Sequence, residues 1–288
     1  MKKTLFRIFK GILIFLLIVL AIASGILAYN MWLNQTFVTT FYTVTTDKDI
    51  ENMRIVELSD LHLREYGDKN ADLVERIRNL KPDIIAVAGD MNIDENPDYT
   101  VVLELMEQLV EIAPVYYGPG NHEWAGIYGW HYSAMADDIA ATGAHFLLQQ
   151  YEDVEINGNK LRIGGIFEWP REQLEWPNSQ KVVDALDAQK QDTSDVYTIL
   201  ICHCPEVFYT SLQNVQVDLA ISGHAHGGLV RLPHTDGLWS TSQGFFPKYT
   251  SGVRQIGEST VVISRGLGDS EPYPRIFNQP ELVVIDIN

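Results

Sequence analysis

The chain has 288 residues, 46% of them hydrophobic and 20% charged, the make-up of a globular protein with one large domain or two small ones. Residues 1–46 hold four basic side chains and no acidic one, so the remainder carries 17 basic against 38 acidic groups, a net of −21. A surface that acidic gains little from a phosphate backbone, which argues against nucleic acid as a routine partner unless bound cations invert the local field.

Lys2, Lys3, Arg7 and Lys10 precede Gly11–Tyr29, 19 residues without a charge, about the length of one membrane-spanning helix. The basic flank predicts a cytoplasmic N-terminus, with everything after the helix outside. Ala21–Ala23 resembles a signal-peptidase site, and cleavage there would release a secreted protein. The apolar run continues through Ile26 and Leu27, which favours a retained single-pass anchor in the cell membrane. Residues 1–32 are thus expected to form the cytoplasmic tip and anchor, 33–47 a Thr-rich linker, and 48–288 one catalytic domain.

Within that domain short apolar runs alternate with helical periodicity. Residues 53–59 read as a strand, and 70–80 as a helix with apolar positions 73, 74, 77 and 80. A buried strand follows at 82–89, an amphipathic helix at 100–112 and a third strand at 113–120. Asn157-Gly158 predicts a hairpin within 151–166. Further strands are expected at 196–203, 217–223, near 259–264 and at the C-terminus. Cys202 and Cys204 are the only cysteines, which rules out a disulfide framework. Period-2 alternation puts them on one face of their strand and His203 on the other.

In α/β sheets ligands gather beyond the carboxyl ends of strands, and those ends are distinctive here. The first strand runs into Asp60-Leu61-His62 and the second into Gly89-Asp90. The third meets Gly120-Asn121-His122-Glu123, the fourth His203, and the fifth Gly223-His224-Ala225-His226. Each of these ends offers a carboxylate, amide or imidazole able to bind a divalent metal. Taken singly, each is more often a turn, a cap or a satisfied core histidine. Five strand ends in succession are a pattern.

The ordered motifs "SDLHL", "AGDM", "GNHE", "CHCP" and "SGHAHGG" resemble the calcineurin-like metallophosphoesterase superfamily. The tail segments "QGFFPKYTSG", "SRGLGDS" and "PELVVIDI" resemble its membrane-anchored bacterial members, similar to phosphodiesterases and to UDP-diacylglucosamine pyrophosphate hydrolases. The resemblance implies a four-layer α/β/β/α sandwich behind one transmembrane helix. It also implies a dinuclear centre: Asp60, His62 and His226 on the first metal, Asn121, His203 and His224 on the second, and Asp90 bridging. His122 would serve as general acid, or stabilise charge in the transition state, without being a ligand.

Asp90, Asn121 and His122 are accordingly the expected catalytic residues. Two divalent ions, manganese, iron or zinc by the N/O donor set, would acidify a shared water and hold the resulting hydroxide for in-line attack on phosphorus. The expected enzyme is a phosphodiesterase or pyrophosphatase acting at the membrane on a lipid-linked or envelope phosphoester. The alternatives are a phosphomonoesterase on peptides or small molecules, and an inactive scaffold, which the complete ligand set disfavours. Glu123 is expected to orient His122. Arg64 is expected to be a solvated surface group or an extra phosphate-side cation. Aromatic residues within 123–132 are expected to pack over the site or to meet acyl chains. Gly223, Ala225, Gly227 and Gly228 are expected to give clearance beside the metals.

Overall fold

In the computed structural model, residues 2–93, 98–129, 134–191, 196–232, 235–240, 242–269 and 275–288 are described. The elements in chain order begin with α1 (Lys2–Leu33), β1 (Val38–Val44), β2 (Met53–Leu58), α2 (Ala71–Leu80), β3 (Ile84–Ala88), α3 (Thr100–Val110) and β4 (Val115–Gly118). The single turn α4 (Asn121–Trp124), α5 (Met135–Ala141), β5 (His145–Phe146), β6 (Gln150–Ile156), β7 (Asn159–Ile166), α6 (Pro177–Gln191), β8 (Tyr197–Cys202) and β9 (Leu219–Ser222) follow. The chain ends with β10 (Val230–Arg231), β11 (Gly237–Ser240), β12 (Gly244–Phe245), β13 (Gly252–Ile256), β14 (Ser259–Ile263) and β15 (Glu281–Ile287).

Two six-stranded sheets form the centre, ordered β1-β15-β2-β3-β4-β5 and β13-β14-β9-β8-β7-β6. Strands buried on both faces need apolar residues at consecutive positions, and β3 (IIAVA) and β8 (YTILIC) are buried at every position. Ile84 and Ala86 of β3 meet Ile199 and Ile201 of β8 between the sheets. The opposite face of β3, Ile85 and Val87, packs against Leu73 and Ile77 of α2 and Leu105 of α3. On β8, Leu200 and Cys202 face Val182 and Leu186 of α6. The layers are therefore helix, sheet, sheet, helix, as expected. Cys204 joins Cys202 in the outer layer, so both thiols pack away from His203.

Two expectations need correction. Residues 33–47 are not simply a linker: they contain β1, an edge strand parallel to β15 in seven-residue register, from Val38 against Glu281 to Val44 against Ile287. Arg64 is not a free surface group but is engaged within the fold. Its guanidinium donates to the Asn34 carbonyl at the end of α1, stands 3.6 Å from Asp269 and stacks 5.0 Å from the Tyr66 ring centroid.

Helix α1 is one uninterrupted rod, exposed over almost its whole length, with a mean hydropathy of 2.9 in its most apolar window. Length and composition suit a membrane span. Its C-terminal end is tied to the domain. Asn30 Oδ1 accepts from the Phe277 N–H at 2.6 Å, and Asn34 Nδ2 donates to the Arg275 carbonyl at 3.1 Å.

Candidate metal centre

All eight sequence-predicted residues come to one place, the carboxyl ends of β2, β3, β4, β8 and β9, where the two sheets meet. The loops are sewn to each other by their own backbone. Asp60 N–H donates to Gly89 O at 2.9 Å, His62 N–H to Asp90 O at 3.1 Å, and Gly223 N–H to His203 O at 3.0 Å. Carboxylates join the stitching: His122 N–H donates to Asp90 Oδ1 at 2.9 Å, and His224 N–H reaches both oxygens of Asp60.

Asp60, His62, Asp90, His224 and His226 all have positive φ, between 47° and 67°, in the left-handed region that non-glycine residues seldom occupy. Leaving a strand by a left-handed residue turns the side chain back over the strand end. Strain of this kind is held where the surroundings over-determine it.

The donors form overlapping groups. Ligand atoms of Asp60, His62 and His226 lie within 4.8 Å of one another, as do those of Asp90, His203 and His224, and those of His62, Asp90 and His122. Asp60, Asp90, His62, His203 and His226 are buried. His203 Nδ1 lies 2.6 Å from the Ala88 carbonyl. A carbonyl only accepts, so Nδ1 carries the hydrogen and the neutral ring leaves Nε2 bare. That bare nitrogen stands 3.0 Å from Asp90 Oδ2 and 3.8 Å from Asp60 Oδ1. Asn121 Oδ1 is buried without a hydrogen-bond partner among the described residues. Lone pairs gathered in this way repel one another unless a cation sits among them, so the donor set fits divalent metal ions.

Without a cation the protons redistribute to serve the same need. Burial pushes Asp60 up to about 6, with His203 opposing and Asp90 reinforcing. Asp90 is also desolvated, yet His203, with help from His122 and His62, holds it below the usual carboxylate range. Burial draws His203 down, but Asp90 and Asp60 outweigh it and hold the imidazole at about 10. His62 has no such dominant partner, and burial lowers it to about 3.

Three neighbours carry roles the sequence reading missed or misjudged. Glu123 does not orient His122. Its fully buried carboxylate accepts from the backbone N–H of Asp90, Met91 and Gly120 and from the Tyr117 hydroxyl, each at 2.8 Å, and from Asn92 N–H at 3.2 Å. It fastens the β3 and β4 loops together, with Asp90 among its donors. Arg275, fully buried, places Nη2 3.1 Å from His226 Nδ1 and Nε 2.5 Å from Asp269. Glu206 accepts from Ser242 Oγ at 2.7 Å through one oxygen, while the other is buried without a hydrogen-bond partner among the described residues. Donor atoms of Glu206, Cys204 and His224 lie within 4.8 Å of one another. Burial pushes the Cys204 thiol well up, which keeps it a neutral packing group.

Gly223 is required where it stands: a Cβ there would come 2.3 Å from Asp60 Oδ2. Gly227 clears something else, since its Cβ would meet Asn278 Oδ1 at 2.4 Å, and Asn278 holds the His226 carbonyl at 2.7 Å. Beside His224 stands an aromatic wall. The Trp169 ring is 6.4 Å from the imidazole and 5.1 Å from Phe167, and Phe167 adjoins Trp124, which touches Tyr128 and Trp176. Trp130, His131 and Tyr132 of the expected aromatic stretch lie outside the described residues.

Comparison with known proteins converges on this site. The family model of the calcineurin-like phosphoesterases matches residues 53–228, a span that holds every donor named above. The metallophosphoesterase YkuE of Bacillus subtilis (strain 168) is 26% identical over 277 residues, covering 92% of this chain and 91% of the relative. The phosphodiesterase YaeI of Escherichia coli (strain K12) is 22% identical over 242 residues, covering 81% and 82%. A zebrafish (Danio rerio) transmembrane protein with a metallophosphoesterase domain is 24% identical over 233 residues, covering 76% of this chain and 52% of the relative.

Proposed function

Because the chain belongs to the calcineurin-like phosphoesterase family, we propose that it hydrolyses phosphodiester or pyrophosphate bonds of lipid-linked substrates at a membrane surface. Metal-dependent hydrolysis of a phosphoester bond is the family's chemistry. The observation that carries the reading is the pair of donor triads, Asp60–His62–His226 and Asp90–His203–His224, converging from both sheets.

Asp60, His62 and His226 would hold one divalent ion, Asn121, His203 and His224 the other, and Asp90 both. Bound there, two such ions supply Lewis acidity and a water that ionises near neutral pH. The protein's own contribution is positional. The buried Asp60 and Asp90 carboxylates face the cations with little water to screen them. His122, with 18% of its side chain exposed against none for His203, would hand a proton to the departing oxygen. Its Nε2 is 3.7 Å from Asp90 Oδ2, beside the proposed ligands and not buried among them.

Two observations support a lipid-linked diester. The aromatic wall from Trp169 to Trp176 offers apolar surface beside His224, with Trp169 and Trp176 38% and 39% exposed. Helix α1 ends against Arg275, whose side chain touches His226, so an α1 that crosses the membrane would keep the site close to the bilayer. An extracytoplasmic domain follows from the basic N-terminal flank. The relative named a phosphodiesterase, YaeI, supports the diester.

The test is the full-length protein with Mn²⁺ on bis-p-nitrophenyl phosphate, p-nitrophenyl phosphate and a UDP-linked diacyl sugar in vesicles, with Asp90→Asn as blank. Strong preference for the monoester would sink the diester reading. Intact mass of membrane-extracted protein decides the anchor, a start near Ser24 meaning cleavage.

A further inference from the structure

The turn at β12 carries two consecutive phenylalanines that are exposed among the described residues. Phe245 and Phe246 are 78% and 76% exposed. Single exposed apolar side chains are ordinary, but an exposed aromatic pair on a fastened turn needs a reason. The turn is fastened. Gln243 Oε1 accepts from Lys248 N–H and Tyr249 N–H at 3.2 Å each, and its Nε2 donates to Tyr249 O at 2.8 Å. The sheet behind it is rooted beside the His226 loop, where a Cβ on Gly228 would meet Gly237 Cα at 2.7 Å.

A ladder of backbone contacts leads from that turn to α1. In the small sheet β10-β11-β12, Phe245 pairs with Trp239, and Trp239 with Val230. Val230 bridges Ile276, whose carbonyl accepts from Arg231 N–H. The next residue, Phe277, itself 45% exposed, donates its N–H to Asn30 in the last turns of α1. Three strand spacings make about 14 Å from Phe245 to the 276 segment. Tyr29 and Trp32, 53% and 67% exposed, mark the level at which α1 meets polar surroundings, the usual depth of interfacial aromatics.

Resting on the reading of α1 as a membrane span, we propose that the β12 turn, led by Phe245 and Phe246, inserts into the interfacial layer of the same bilayer leaflet. It is a second point of attachment. An amphipathic cation, Lys248, follows the pair and is exposed, suited to reaching the headgroups while its stem stays apolar. The domain's net charge of −21 beyond residue 46 opposes attraction to anionic lipid, so the attachment is apolar. Anchor and turn together hold the mouth of the metal centre against the surface rather than letting the domain swing on one helix.

The test uses the full chain reconstituted at low density in POPC vesicles, with nitroxide labels on Phe246→Cys, Lys160→Cys and Leu17→Cys. Cys202 and Cys204 are both fully buried and leave the introduced thiol as the one that labels. Accessibility to oxygen relative to a nickel chelate reports depth. The expected ratio at position 246 lies between those at 17 and 160, at least threefold above that at 160, and does not change when 30% POPG is added. A ratio at 246 equal to that at 160 overturns the inference alone. Aqueous values at both 246 and 17 overturn the anchor with it. Dipolar broadening between labels at 246 would mark a second copy as the occupant and also overturn it. As an independent arm, Phe245→Ser/Phe246→Ser should raise KM for a vesicle-borne diacyl substrate about fivefold and leave kcat/KM for bis-p-nitrophenyl phosphate unchanged. Equal loss on both substrates would show a structural effect instead.

Discussion

His203 donates its Nδ1–H to the Ala88 carbonyl at 2.6 Å, and this bond decides which ring nitrogen faces Asp90. Ala88 closes β3 and His203 follows β8, so the bond also joins the two sheets at the point where the donors converge. His203→Ala should lower bound metal from two ions to about one per chain, measured by plasma mass spectrometry. Hydrolysis should fall by roughly 10³-fold or more, since the electrostatic stabilisation lost is of that order. Full metal content in the variant would remove His203 from the ligand set.

The same residue sets a pH dependence in the chelated protein. Asp90 and Asp60 overcome burial and hold His203 at about 10 rather than 6.5. A raised imidazole contributes stability that is fully present below pH 6.5 and is lost as pH rises toward 10. Asp60, pushed up to about 6, and His62, lowered to about 3, have finished titrating below that window. With EDTA present, Tm should therefore fall between pH 7 and pH 10, and His203→Gln should flatten the profile. Metal-loaded protein should lack the fall, because bound cations replace the proton. A Tm that holds steady across the window without metal would contradict this account.

Glu123 shows what was and was not legible in the sequence. Its place in a strand-end motif was plain, and the strand ends themselves were read to within about two residues because short continuous apolar runs stop where the polar donors begin. Its partners were not legible: four backbone N–H groups and a tyrosine hydroxyl carry no side-chain signature. The left-handed backbone at Asp60 and Asp90 was hidden for the same reason. Strand β1 was mistaken for linker because its sheet neighbour, β15, lies some 240 residues downstream. Arg275 sits in an apolar-poor tail with no periodicity to place it under His226.

Glu123→Gln replaces one acceptor oxygen by a donor amide facing N–H groups. The variant should lose about 2–4 kcal/mol, a Tm drop of roughly 5–15 °C for a domain of this size. The Asp90 loop should loosen, and metal affinity fall with it. Unchanged Tm with normal metal binding would show that the five hydrogen bonds are dispensable.

His122 separates chemistry from metal binding. His122→Ala should keep both ions and the fold, yet lose roughly 10²–10⁴ in kcat on a substrate with a poor leaving group. On bis-p-nitrophenyl phosphate, whose leaving group needs little help from an acid, the loss should be far smaller. Equal losses on the two substrates would assign His122 to charge stabilisation or ligation, a role its proximity to His62 and Asp90 permits.

Glu206 lies close to His224, with ligand atoms of the two within 4.8 Å of each other. One of its oxygens is engaged by Ser242, and the other is buried without a hydrogen-bond partner among the described residues. A carboxylate behind a ligating imidazole fixes its tautomer and raises its basicity, and removing it typically costs 10–100-fold in metal affinity. Burial already lowers His224 ahead of its histidine neighbour, while Glu206 works in the opposite direction. Glu206→Gln keeps shape and the Ser242 contact but loses the charge. It should weaken the second ion by about tenfold or more in a titration of metal-free protein, with Tm before metal addition within about 2 °C of the parent. Excess metal should then restore kcat. A variant that binds the second ion normally would make Glu206 a packing group, and one that fails to recover with excess metal would place it in the chemistry itself.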